Sequence, residues 1–443
     1  MSDPIQHVVV LMLENHSFDQ MLGALTEVYP DLDGVKRGAE RSNRGMDARR
    51  DPKILVQYEQ LMTIERQMML DPMHEVEHVA VQLKDGNAGF VKDLQASYSN
   101  WTTEQSQQIM SYYKLDCLPA LHSLGRNFTV CDRWFSSLPG PTWPNRFFAL
   151  SGTSLGRVNM PEKGHWGALT GFFQQTQPTI FDRLNDKSIS WNIFFHDFPV
   201  SLIFDRLRLC PYNRAQYRTI ENFFVQASGP ASAFPQFSFI EPRYNGYDQN
   251  DDHPPHDVMK AQNLIADIYN AIRKNAELWA STLFVVFYDE HGGFYDHVVP
   301  PSAVPPDDKT YEYSFDQLGI RVPALLISPW VDARVERTQF DHTSLLRYLQ
   351  KKWGLGDLGR RTASANSIDV ALRTTPRADT PEKIRTVPAE PAMDQQAVTM
   401  DSAHHSAIAG FVRFLDQNAT IAYVDAAQYL EEAKDFVTKF LRA

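Results

Sequence analysis

Apolar residues fall into two patterns along this chain. The first is the short continuous run: His7-Val-Val-Val-Leu-Met-Leu13, Asn127–Phe135, Ser188–Phe195, Phe237–Ile240, Thr282-Leu-Phe-Val-Val-Phe-Tyr288 and Arg321–Pro329. Such runs are too short for helices and rich in β-branched and aromatic residues, so they predict buried strands of a parallel sheet. The second is helical spacing. It is seen at Phe18, Met21 and Leu22, over 58–70, over 72–84 after Asp71-Pro72, in parts of 89–122, and from Phe147 to a stop at Gly152. It returns over about 257–278, after Asp341 through Leu345, Leu346 and Leu349, and within 401–443 at Ala407, Phe411 and Phe414 and again at Phe436, Phe440 and Leu441. Strands alternating with helices predict an α/β fold, a central mostly parallel sheet with helices on both faces. Residues 31–53 read as an exposed charged loop. Residues 360–400, rich in Thr, Pro and Ala without a period, read as a loosely ordered extension. The expected division is one domain over 1–358, then an extended segment and C-terminal helices packed on it over 359–443.

Composition narrows the functional classes. A net charge of -11 argues against general nucleic-acid binding, which needs a basic face. No apolar run approaches bilayer-spanning length, so any contact with lipid is expected to be peripheral. The start does not read as a signal peptide: Asp3 stands where a basic residue is usual, and the apolar run Val8–Leu13 is short. Three widely spaced cysteines, Cys117, Cys131 and Cys210, suggest buried apolar thiols and a reducing compartment. The expected location is cytoplasmic, or outside the cell by a route without a cleavable N-terminal signal.

Polar clusters recur where the strand runs end: Glu14-Asn15-His16-Ser17, His196-Asp197, Glu241-Pro242 and Asp289-Glu290-His291. In open α/β sheets ligands bind at the carboxyl ends of strands. Paired carboxylates after a buried strand are costly unless neutralised, and a divalent metal would do so. Glu14 and Asn15 are either helix caps or ligands. Thr142 follows Gly140-Pro141, where a loop becomes a helix. It is either an N-cap or a nucleophile held in the positive field of the helix terminus. His342 is a cap-region residue or a ligand. His74-Glu75-Val76-Glu77-His78 fits H-E-x-x-H, which predicts two imidazoles on one helix face and a zinc protease as an outside alternative. A charge at Glu77 and no third ligand downstream weigh against it. Phe90, Tyr98, Trp101, Tyr112 and Tyr113 read as core, with an aromatic cage as the alternative.

Four segments together resemble a bacterial phosphoesterase family that includes nonspecific phospholipase C and the respiratory-burst-inhibiting acid phosphatase. They are Glu14-Asn-His-Ser-Phe-Asp19, Gly140-Pro-Thr-Trp-Pro-Asn-Arg146, Tyr288-Asp-Glu-His-Gly-Gly-Phe-Tyr-Asp-His297 and Asp341-His-Thr-Ser-Leu-Leu346. Asp71-Pro-Met-His74, Gly89-Phe-Val91 and Phe128-Thr-Val-Cys-Asp-Arg133 resemble it too, so the likeness spans roughly residues 5–355. It implies an alkaline-phosphatase-like core. It implies a divalent metal, preferably zinc, held by Glu14, Asn15, Thr142, Asp289 and Glu290, with Thr142 also the nucleophile. Asn145 would hold a phosphoryl oxygen. His74 and His253, joined by His196, would contact phosphate or protonate the leaving group. His291 and His342 would support the ligands, while His78, His256 and His297 carry less weight. Departures from the family pattern stand at His16, Gln20 and Trp143 and bear on substrate choice. The expected activity is that of a phospholipase C, releasing diacylglycerol and a phosphorylated head group through a phosphothreonine intermediate. The alternatives are an acid phosphatase acting on monoesters and, from another class, a binding module that has lost turnover.

Overall fold

The computed structural model describes residues 3–36, 41–43, 45, 54–55, 57–59, 71–99, 106–161, 171–245, 248–310, 313–387, 403–415 and 437–441. Its centre is an eight-stranded sheet. In chain order the strands are β1 (His7–Leu13), β2 (Thr129–Cys131), β3 (Trp191–Phe195), β4 (Tyr217–Thr219), β5 (Phe237–Glu241), β6 (Thr282–Tyr288), β7 (Ala324–Ile327) and β8 (Arg334–Glu336). Their spatial order is β8-β2-β7-β6-β1-β5-β3-β4. All run parallel except β7, which is antiparallel to β6 and to β2. Every residue of β1 and β6 is buried. Since successive side chains point to opposite faces, both faces of the sheet are covered, as the unbroken apolar runs require.

The register at the centre fixes the site. His7 pairs with Thr282 and Leu13 with Tyr288, so the two strands end level. Glu14 and Asp289 follow directly and stand side by side at the carboxyl edge; Asp289 N donates to Leu13 O at 3.0 Å. Three further elements reach that edge. Helix α1 (Phe18–Leu22) follows β1 and is capped by the Ser17 hydroxyl. Helix α5 (Thr142–Ser151) is ended by Gly152 in the left-handed region, as its position in the sequence suggests. Helix α8 (His342–Trp353) is opened by an Asp341–Ser344 capping box.

Several expectations are corrected. The helix expected over 72–84 starts later, as α2 (Val76–Gln82) with Glu75 at its N-cap, because Asp71 faces histidines instead of capping. His74 therefore precedes the helix, and the two imidazoles of the H-E-x-x-H run do not share a face. His78 Nδ1 goes to Asp93 Oδ1 at 2.9 Å, on helix α3 (Phe90–Ser97), so no zinc-protease site forms. Of the helix expected over 58–70, residues 57–59 form a short strand beside Ser111–Tyr113, and 60–70 lie outside the described residues. The 31–53 stretch is not simply exposed: Leu32, Val35 and Asn43 are buried. The run Asn127–Phe135 is two strands, β2 and Trp134–Phe135, the second pairing with Phe340–Asp341. The helix expected over 257–278 is α7 (Val258–Lys274) plus a short turn, Ala276–Trp279.

The stretch after 358 is better ordered than its composition suggests over 359–387. Gly359–Ser364 is helical, and Ile384 is buried. Arg361 is buried too, donating to the carbonyls of Ser137 and Phe315. Residues 388–402 lie outside the described residues. Helix α9 (Ala403–Leu415) packs Ala407, Ile408 and Phe411 into the core.

Candidate active site

The loop after β1 carries Glu14 and Asn15. Asn15 sits at φ 58°, a left-handed conformation that Asn tolerates better than most residues. Its backbone N–H donates to Asp289 Oδ1 at 3.1 Å, and its side-chain Oδ1 accepts from the Thr142 hydroxyl at 3.2 Å. Thr142 is 1% exposed. It is the first residue of α5, not its N-cap; Pro141 holds that place and supplies no side-chain capping bond. The hydroxyl is thus directed across to the β1 loop, and the ordinary capping use of Thr does not apply.

Arg146 lies one turn after Thr142 on the same face of α5. Its guanidinium bridges the two strand ends: Nη2 is 2.9 Å from Glu14 Oε1 and Nε 3.2 Å from Asp289 Oδ2. Nη1 donates to the Tyr244 hydroxyl at 2.9 Å, which donates to Glu241 Oε2 at 3.0 Å. Oδ1 of Asp289 also takes the Glu290 N–H at 2.7 Å, so three donors meet this carboxylate and Oδ2 keeps one lone pair open. Behind it, Trp134 Nε1 donates to His342 Nδ1 at 3.2 Å, which leaves His342 Nε2 as the donor to Asp289 O at 2.7 Å. His342 is therefore a support for the acid loop.

Glu14 and Glu290 are different. Oε2 of Glu14 and Oε1 of Glu290 are buried and accept no hydrogen bond, and Glu14 Oε1 meets Arg146 as an ion pair without hydrogen-bond geometry. Burial pushes the carboxyl of Glu14 well above its ordinary range, that of Glu290 up to about 7 and that of Asp289 up to about 6. Unpaired buried carboxylate oxygens, an amide oxygen and a hydroxyl together make a hard donor set, which fits a divalent cation. Glu14, Asp289 and Glu290 do not, however, bring one oxygen each within 4.8 Å of one another. Among the described residues the group that meets that spacing is Asp19, Asp296 and His297, and it too could hold a metal ion.

A histidine–carboxylate group closes another side. His74 Nε2 lies 3.3 Å from Asn15 Nδ2 and 3.7 Å from Glu290 Oε1, while its Nδ1 is 2.7 Å from Pro72 O. Burial disfavours the imidazolium, but Glu290, Asp71 and Glu75 outweigh it and raise His74 to about 10. Burial raises the Asp71 carboxyl to about 7 despite His74. His253 joins from the acidic loop, its ring 6.4 Å from that of His74 and its Nε2 3.9 Å from Asp71 Oδ2.

Thus Glu14, Asn15, Thr142, Asp289, Glu290, His74 and His253 come together. Two expected residues have other partners. The Asn145 amide is committed to the preceding turn: Nδ2 donates to Gly140 O at 2.8 Å, and Oδ1 accepts from Leu138 N at 3.1 Å. It shapes the Thr142 loop instead of facing a phosphoryl oxygen. His196 directly follows β3, its Nδ1 3.3 Å from Glu241 O and its Nε2 3.5 Å from Asn250 Nδ2. His291 supports Glu290 and Gln82, and His256 is held by Asp251 at 2.6 Å. Sequence reasoning gave no role to Arg146, Tyr244, Asp71 or His404. An arginine directly before the apolar run Phe147–Leu150 was a usable signal for the first; nothing comparable marks His404.

The comparisons with known proteins bear on this arrangement. A family model described as the Phosphoesterase family matches residues 5–356. The chain belongs to the Phosphoesterase family. Non-specific phospholipase C3 of Arabidopsis thaliana is 32% identical to this phosphoesterase over 98% of the chain and 88% of the relative. Non-hemolytic phospholipase C of Pseudomonas aeruginosa is 26% identical over 79% of the chain and 54% of its own length. The relatives are thus plant as well as bacterial, wider than the bacterial family expected. They support the expectation that this phosphoesterase is a phospholipase-C-like hydrolase of phosphoric esters. A solved structure described as a protein in the alkaline phosphatase superfamily, from Vibrio parahaemolyticus, matches at 13% identity over 73% of this chain and 81% of that one. Its TM-score of 0.32 is too low to carry an argument.

Proposed function

We propose that this phosphoesterase is a phospholipase C that cleaves phospholipids such as phosphatidylcholine to diacylglycerol and a phosphorylated head group, with Thr142 as nucleophile. The observation that carries the reading is the Thr142 hydroxyl aimed at Asn15 beside Glu14 and Glu290, whose buried carboxylates keep oxygens without hydrogen-bond donors. Glu14, Asn15, Thr142, Asp289 and Glu290 would hold a divalent cation, Asp289 through oxygens it now shares with Arg146. When bound, the cation supplies Lewis acidity that lowers the hydroxyl's pKa and neutralises phosphoryl charge. Zinc is our choice of ion, on the resemblance of the motifs.

The chain's own residues then divide the work. Asn15 orients the Thr142 oxygen for in-line attack on phosphorus; the Thr142 proton passes to solvent as the O–P bond forms, and Thr142 takes one back when the second step releases it. His74, protonated at neutral pH beside Glu290 and Asp71, faces the incoming anion, and it or His253 donates the proton to the departing alcohol as the P–O bond breaks. Water then attacks the phosphothreonine, its proton passing to the imidazole that lost one, and the phosphorylated head group leaves. We read residues 1–358 as the catalytic unit on an alkaline-phosphatase-like core, with 359–443 wrapped against it, and contact with membrane as peripheral.

Thr142→Ala is expected to abolish hydrolysis of p-nitrophenyl-phosphorylcholine, by about 10⁴-fold or more. Near-normal turnover would reject the nucleophile. Rates on phosphatidylcholine against simple phosphomonoesters separate the phospholipase from an acid phosphatase.

A further inference from the structure

Helix α9 reaches the site from the far end of the chain. His404, Ala407, Ile408 and Phe411 fall on one helical face, spaced i, i+3, i+4 and i+7. Phe411 anchors that face among Phe173, Trp143 and Phe198, with ring centroids 5.4, 6.5 and 5.9 Å away. The Arg208 guanidinium stacks over Phe411 and Phe414, at 5.6 and 5.4 Å. The anchor puts His404, 2% exposed, inside the polar cluster. Its ring is 4.9 Å from that of Tyr244 and 6.2 Å from those of Trp143 and His253. Its Nδ1 is 3.6 Å from Glu14 Oε1.

That last distance is informative. It is too long for an N–H···O hydrogen bond, whose ordinary span is about 2.7–3.2 Å. It is close to the gap between two donors of one cation, which for bonds of about 2.1 Å is about 3.0–3.4 Å between octahedral and tetrahedral angles. Arg146 also approaches Glu14, yet neither Glu14 oxygen accepts a hydrogen bond. A carboxylate offers about four lone-pair positions, which leaves room for a cation beside the guanidinium.

We propose that His404 is a nitrogen donor to the same divalent cation as Glu14, so that the metal centre is completed by the C-terminal helix. This rests on the reading of Glu14 as a metal ligand. It makes the centre composite, with donors drawn from both ends of the chain, and it couples metal retention to the docking of α9.

The test uses the full chain, stripped by a chelator and titrated with Zn²⁺ against a chromophoric competitor, and separately loaded with Co²⁺ for its visible spectrum. Four proteins are compared: wild type, Glu14→Gln, His404→Ala and His404→Gln. Weaker Zn²⁺ binding by about 10-fold or more is expected for Glu14→Gln and for His404→Ala, with a changed Co²⁺ band for both. His404→Gln, which keeps volume and fold but offers a poorer donor, is expected to weaken binding as well. Melting of the metal-free proteins should be nearly the same. If Glu14→Gln weakens binding and both His404 variants do not, the proposal is overturned while the metal reading stands. If His404→Ala only lowers metal-free melting, His404 is a packing residue and the proposal fails. If no variant changes Zn²⁺ binding or the Co²⁺ spectrum, the assignment of the centre to Glu14 fails first.

Discussion

Arg146 and Arg321 are both buried, at 2% and 0% exposure; Arg146 meets Glu14 and Asp289, with Glu241 at 3.9 Å, and Arg321 meets Asp19 and Asp296. Around Arg321 the polar groups close on themselves. Its Nη2 is 3.0 Å from Asp19 Oδ1, its Nε 2.9 Å from Asp296 Oδ1, and its Nη1 donates to the carbonyls of Asp33 and Asp132. Asp19 Oδ2 takes the backbone N–H and the ring of His297, and Asp296 Oδ2 takes the Asp19 N–H. Around Arg146 the carboxylates of Glu14 and Glu290 keep oxygens without donors. A buried network with every member paired stabilises and specifies a fold, whereas unmet acceptors in a buried site call for a ligand. The tighter group, Asp19, Asp296 and His297, has the better spacing for a metal ion, yet it is the one already neutralised.

The comparison breaks if the two arginines respond alike to removal. Arg321→Met leaves two buried carboxylates facing each other and is expected to lower stability by about 3–5 kcal/mol in urea unfolding, with or without divalent cation. Arg146→Met should lose a similar amount in a chelator. The ion stabilises every variant that keeps its site, by roughly 3 kcal/mol at about 100 times its dissociation constant, so rescue is read as a narrower gap to wild type at the same ion concentration. The gap should narrow for Arg146→Met, where the ion supplies the missing charge; an equal narrowing for Arg321→Met would show that the Asp19–Asp296–His297 group takes the metal.

The pH dependence sharpens the same contrast at smaller scale. Glu290 holds its proton in the folded chain up to about pH 7, where an unfolded glutamate has lost it. The folded state then binds more protons, so metal-free stability should fall as pH rises from about 4.5 to 7. His74, raised to about 10, adds a second decline from about pH 6.5 to 10, since the stability it contributes is present below its ordinary value and lost above its raised one. Glu14, Asp289 and Asp71 share this decline, so Glu290→Gln should remove its own part, up to about 3 kcal/mol, and saturating metal should flatten the slope too. An unchanged slope in Glu290→Gln would remove Glu290 from the picture.

The sheet was legible in the chain because buried parallel strands are written as unbroken apolar runs, and β1 and β6 match theirs residue for residue. The reversal of β7 was not legible, since alternation and hydrophobicity carry no strand direction. At the site, the positions just after β1 and β6 were legible because a charge following a buried strand has few structural reasons to be there. The start of α2 was misplaced because Asp71-Pro72 has the composition of a cap, while the Asp71 carboxylate is drawn to His74 and His253. Asn145 sits in a telling motif, but which way an amide turns depends on the loop it closes. His404 depends on how a remote helix docks, which no local pattern records.

The two glycines after the acidic pair act as a keystone. A methyl group built on Gly292 would sit 2.1 Å from Asn15 O, and one on Gly293 would sit 2.7 Å from Pro72 Cβ and 2.8 Å from Met73 O. Both have positive φ, 64° and 74°. Three stretches of chain separated by scores of residues therefore touch backbone to backbone at a seam with no slack. The arms that carry Asn15, His74 and Glu290 shift together or not at all, so a swap of any one arm from a relative should graft cleanly only when all three travel as a set.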